Sequence, residues 1–115
     1  MNISFNAVGH EFLTFGSGGT ATEGYPCVMA GNGTVKDATA GDVFCGITAD
    51  VRDGAVGVLC KGYQEMGYTG TTVPTVGFVK LVADGDGGVK VDATNGREIW
   101  VLKVDSTAKT VGIFL

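Results

Sequence analysis

Stretches free of glycine are scarce in this sequence. Glycine takes 20 of the 115 positions. The one long run without it is Arg97 to Val111, and every other run is much shorter. A helix interior loses about 1 kcal/mol for each Gly in place of Ala, so a helical bundle is excluded. Proline is scarce too, at two residues, and the glycines follow no three-residue period, which excludes a collagen-like chain. Charged residues make up 17% against 44% hydrophobic, the reverse of the balance that keeps a chain disordered. What remains is a small all-β body. Val is its commonest apolar residue, so the core is thin and the subunit gains from assembling.

Basic stretches are missing as well. Eight basic residues face 12 acidic ones, for a net charge of −4. Nucleic-acid binding needs a basic stripe to displace counterions, and anionic membranes attract polybasic segments; neither partner is expected. No run approaches the ~20 apolar residues of a membrane-spanning helix. The opening MNISFNAVGHEFLTF lacks the basic-then-apolar order of a secretory signal, so synthesis and first folding in a cytoplasm are expected. Cys27, Cys45 and Cys60 are odd in number and show no CxxC spacing. They read as small apolar residues in or near strands, with one pair plus a leftover thiol as the alternative.

Catalytic patterns are absent. His10 is the single histidine, so Glu11 begins no HExxH motif. Gly16-Ser17-Gly18 falls short of a GxSxG elbow. The glycine-rich stretches at 16–19, 31–33 and 85–88 lack GxxxxGK[ST] and a following helix; they read as tight turns. Asp84-Gly85-Asp86-Gly87-Gly88 spaces its carboxylates as a calcium loop does, but the twelfth position from Asp84 is Asn95 where such a loop needs Glu. No metal, cofactor or enzymatic activity is expected. Tyr25, Tyr63, Tyr68 and Trp100 could stack on sugars, though they are scattered along the chain. A structural or binding role is left.

Gly, Asn and Asp punctuate the chain, and the segments between them are strand-like. Strands are expected near 25–30, 34–36, 43–49, 55–61, 63–68, 76–83, 88–91, 98–104 and 109–115. Ahead of them an apolar, aromatic segment ends at Gly16-Ser17-Gly18-Gly19-Thr20. This reads either as a flexible joint, giving an arm over 1–18 and one β domain over 19–115, or as a loop between strands of one sheet. The chain also repeats itself. GNGTVKDATAG at 31–41 matches GDGGVKVDATNG at 85–96 once Val91 is taken as an insertion. The match includes Val35/Val89, Lys36/Lys90 and Asp37/Asp92, and continues at one offset through Ile47/Leu102, Asp50/Asp105, Val56/Val111, Gly57/Gly112 and Val58/Ile113. The expected fold is a small β-sandwich or β-barrel of two similar internal β-units with an N-terminal arm. Two copies fall short of a solenoid.

The order of turns also carries a resemblance. Glu23-Gly24-Tyr25-Pro26 is followed by Gly33-Thr34-Val35, Asp37-Ala38-Thr39-Ala40-Gly41, Phe44-Cys45-Gly46-Ile47 and the apolar Val56 to Gly62. From Glu23 to Leu115 this order resembles the small capsid decoration, or cement, proteins of tailed bacteriophages and prophages. The resemblance implies a virion structural protein on the capsid exterior, made in the host cytoplasm, often trimeric, with the major capsid protein as its partner. An arm could add as a strand to a neighbour's free sheet edge, with Ile3, Phe5, Val8, Phe12 and Phe15 as anchors. The rival reading is a β-sandwich module of a phage tail or fibre that recognises a glycan or a protein.

Overall fold

A computed structural model describes residues 10–115, and all its regular elements are strands. They are β1 (Glu11–Ser17), β2 (Pro26–Gly31), β3 (Thr34–Asp37), β4 (Gly46–Arg52), β5 (Ala55–Lys61), β6 (Tyr63–Thr69), β7 (Gly77–Ala83), β8 (Val89–Val91), β9 (Arg97–Asp105) and β10 (Thr110–Phe114). Each of the nine strands expected beyond the glycine-rich stretch has its counterpart. The largest shift is β4, expected at 43–49. Its start is displaced because Phe44 leaves the sheet path to bury its ring, while Asp53-Gly54 supplies the tight hairpin turn that ends it.

The strands close into two five-stranded barrels with one shared plan. The first runs β1-β3-β2-β4-β5 and returns to β1; the second runs β6-β8-β7-β9-β10 and returns to β6. In each, the first and third strands of the unit pair in parallel and every other neighbour is antiparallel. Ser17 lies opposite Val35 in one barrel, and Tyr68 opposite Val89 in the other. The internal repeat is therefore physical: each copy closes on itself.

The structure corrects part of the repeat alignment. Ile47 pairs with Leu59, whereas it is Trp100 that pairs with Phe114, the equivalent of Leu59. Ile47 thus matches Trp100 and not Leu102, and Asp50 does not match Asp105. The cause is the hairpin turn. Arg52 pairs with Ala55 across Asp53-Gly54, but Asp105 pairs with Thr110 across Ser106 to Lys109. The longer second turn shifts the alignment of the strand that leads into it, β9 against β4.

The arm reading also changes. Residues 11–17 form β1, a full member of the first barrel, paired with β5 from Glu11↔Lys61 to Gly16↔Ala55. The glycine-rich stretch is held in place: Gly16 N–H donates to the Gly33 carbonyl (2.8 Å) and Gly18 N–H to that of Val35 (2.9 Å). A Cβ at Gly18 would collide with Ala30. Glycine serves close packing there.

Cys27, Val35, Val56 and Val58 fill the first barrel, with Phe15, Ala21, Val51 and Cys60 beside them. A second core joins the barrels. Ala38, Phe44, Ile47 and Leu59 of the first unit merge with Leu81, Ile99, Val101, Ile113 and others of the second. The loop after β3 seals this junction. Gly41 N–H donates to the Ala83 carbonyl and Ala83 N–H to that of Asp42, both at 2.9 Å. The Arg97 guanidinium donates to the Phe44 carbonyl at 3.2 Å.

Candidate functional site

Side chains on one face of a sheet come from residues that sit opposite each other in register. In the second barrel the register aligns Phe78, Trp100, Phe114 and Tyr63 across β7, β9, β10 and β6. Phe78 stacks on Trp100 with ring centroids 6.1 Å apart, and Trp100 meets Phe114 at 6.0 Å. Phe78 is 70% exposed, Trp100 47% and Phe114 37%. Tyr63 closes the row, buried, its hydroxyl donating to the Glu65 carboxylate at 2.9 Å.

Charged residues of both signs flank this row. Lys80 lies opposite Glu98 on one side. On the other, Lys103 and Glu65 flank Gly112 and form an ion pair at 2.7 Å. The Lys103 ammonium, then the Tyr63 hydroxyl, hold the Glu65 carboxyl below its ordinary range. A Cβ at Gly112 would strike the Tyr63 ring, so glycine lets the tyrosine lie flat across β10. An apolar centre with a polar rim is the anatomy of a protein-binding patch.

The first barrel carries the equivalent row: Pro26, Ile47, Leu59 and Phe12. Pro26, Ile47 and Leu59 are buried, and Ile47 and Leu59 belong to the core that joins the barrels. Only Phe12, at the end of the row, is exposed. It lines an open cleft of about 570 Å³ with His10, Glu23, Ile47, Leu59, Tyr63 and others. His10 ends up at this junction, where its Nε2 accepts from the Tyr63 N–H at 3.4 Å.

Of the expected anchors, Ile3, Phe5 and Val8 lie outside the described residues. Phe12 and Phe15 both sit on β1, opposite Leu59 and Val56 of the chain's own β5. Phe15 packs against the first barrel's core. The tyrosines considered for sugar stacking do not converge either, since Tyr63 and Tyr68 are buried. Trp100 alone of that set is on an open face. Among the described residues, no three or more His, Cys, Asp or Glu side chains are grouped to hold a metal ion. The Asp84 carboxylate is engaged in its own turn, accepting from the N–H groups of Asp86 (2.7 Å) and Gly88 (2.9 Å). Sequence reading missed the Phe78–Trp100–Phe114 row. The usable signal was the repeat: in correct register, Trp100 takes the place of the apolar Ile47.

No protein-family model matches the chain, and no curated protein matches it.

Proposed function

We propose that this protein is a non-enzymatic structural component that decorates the outside of a phage head and braces its subunits. The observation that carries the reading is the open Phe78–Trp100–Phe114 face, an apolar patch between rows of charge on a closed barrel. The order of turn motifs from Glu23 onward supports the same class. The face docks on the major capsid protein, and the aromatic rings supply the hot spots, at roughly 2 kcal/mol or more each. Single contacts can be modest, because a capsid lattice offers many sites at once to an oligomeric decoration protein. Trimers around a symmetry axis belong to this reading, and a solution mass three times the 11.7 kDa subunit tests them.

Co-sedimentation with undecorated heads tests the proposal. The intact chain pellets with heads, and Trp100→Ala, still folded, stays in the supernatant. Equal pelleting of the two proteins refutes the assigned face, and failure of the intact chain to pellet refutes the function. A second reading rests on the same exposed indole: a glycan-recognition module of a tail or fibre. Glycan-array binding that Trp100→Ala abolishes, without any head binding, selects it.

A further inference from the structure

Away from the aromatic face, the structure assembles a thiol pair where β2 meets the start of β4. Cys27 lies opposite Gly46 in register, and the Cys45 N–H donates to the Cys27 carbonyl at 2.9 Å. Cys45 and Gly46 therefore both sit across from Cys27. The Cys45 Sγ rests 3.4 Å from the Cys27 carbonyl, and the Cys27 Sγ 3.5 Å from that of Gly46. Cys27 is fully buried and Cys45 exposed. An accessible thiol thus stands in front of an enclosed one. We propose that Cys45 is an oxidant-reactive thiol and Cys27 its resolving partner, so that the two form a reversible disulfide across β2 and β4.

Cross-strand neighbours have Cβ atoms roughly 4.5–5.5 Å apart, and a disulfide needs roughly 3.5–4.5 Å. Cys45 is the residue beside Gly46, the register partner of Cys27, so closing the bridge takes a shift on the order of 1 Å at an exposed side chain. The electrostatics favour the same division of roles. A hydrogen bond from the Cys27 thiol, with help from the Cys45 N–H and the Arg97 guanidinium, brings the Cys45 thiol down to about 6. The same bond, with burial, pushes the Cys27 thiol up, against a smaller opposing effect of the Thr48 hydroxyl. Thiolate character selects the attacking sulfur. Cys60 is half-buried, and burial pushes its thiol up, so it does not compete.

With hydrogen peroxide as oxidant, the Cys45 thiolate attacks one peroxide oxygen, the O–O bond breaks, and hydroxide leaves to take a proton and become water. The product is a sulfenic acid. The Cys27 sulfur then attacks the Cys45 sulfur, the S–O bond breaks, and a second water leaves with the Cys27 proton. Two thiols are oxidised to one disulfide, and peroxide is reduced to two waters. The bond ties β2 to the loop that carries Gly41, Asp42 and Phe44 into the second barrel.

The test treats the reduced full chain with equimolar hydrogen peroxide and reads intact mass, peptide map and melting temperature. The expected result is a monomer lighter by two hydrogens, a Cys27–Cys45 bridge in the map, and a Tm raised by roughly 5–15 °C. Cys27→Ala should stop at a Cys45 sulfenic acid that dimedone traps, Cys45→Ser should give neither product, and Cys60→Ser should behave as the intact chain. A bridge through Cys60, a disulfide between two chains, or no reaction at Cys45 overturns the proposal.

Discussion

Ile47 and Trp100 occupy the same place in the two barrels, yet Ile47 is 1% exposed and Trp100 is 47% exposed. Each is flanked by the same strands of its unit, Ile47 by Pro26 and Leu59, Trp100 by Phe78 and Phe114. In the first barrel this position helps join the units. In the second it faces outward and carries larger, aromatic side chains. The position is apolar in both copies but covered in only one, and the proposed docking face rests on that difference. Trp100 is the chain's single tryptophan, so it reports directly. Its fluorescence should shift to the blue when the protein binds heads, and Phe78→Ser should weaken binding by about 30-fold, the equivalent of ~2 kcal/mol. An unchanged emission maximum at saturation would place the contact elsewhere.

Thr48 is the odd residue of the first core. Its hydroxyl is buried and, among the described residues, without a hydrogen-bond partner of ordinary length. Thr48 pairs with Val58, as Val101 pairs with Ile113 in the second barrel, so the second copy holds Val where the first holds Thr. A buried, unsatisfied hydroxyl costs roughly 1–3 kcal/mol, and Val has nearly the same shape. Thr48→Val should stabilise the chain by about 1 kcal/mol in urea unfolding. A loss of that size would mean the hydroxyl has work in the folded state.

Two truncations test where the barrel begins. Deleting residues 1–9 keeps β1 and should leave the melting temperature within a few degrees. Deleting residues 1–17 removes the strand that joins β3 to β5 and uncovers the Val56 and Val58 side of the core. That protein should lose its cooperative thermal transition. Head binding of the shorter deletion tests Ile3, Phe5 and Val8 as anchors without disturbing the fold. Unchanged binding would remove Ile3, Phe5 and Val8 from the docking surface.

The strands were legible because glycine and Asx turns bracket nearly all of them, and the repeat was legible because Val35-Lys36 and Val89-Lys90 keep their turns. What escaped was whatever depends on which strands become neighbours. Phe78, Trp100 and Phe114 are far apart in sequence and meet only through the β7-β9-β10 register. Cys27 and Cys45 meet because β2 pairs with β4 after β3 has turned back on its other side. The glycines at 16–19 carry the composition of a hinge, yet their use is close packing against Ala30 and Thr34. Composition does not distinguish these two uses of a missing side chain.

The junction between the barrels should be sensitive to acid at Asp42. The Thr39 N–H and hydroxyl both donate to its carboxylate at 2.9 Å, while the Asp42 carbonyl accepts from Ala83 across the junction. The backbone bond, then the hydroxyl bond, hold the Asp42 carboxyl below its ordinary range. A carboxyl lowered on folding contributes stability that is fully present above its unfolded value, near 4, and fades as pH falls through the lower folded value. The group is exposed, so solvent screens the effect and the change is small. Asp42→Asn should lower the melting temperature by a few degrees at pH 7, and this difference should vanish toward pH 2. Melting curves of the two proteins from pH 2 to pH 7 check it. A difference that stays constant with pH would assign the loss to the turn's shape instead of the carboxylate's charge.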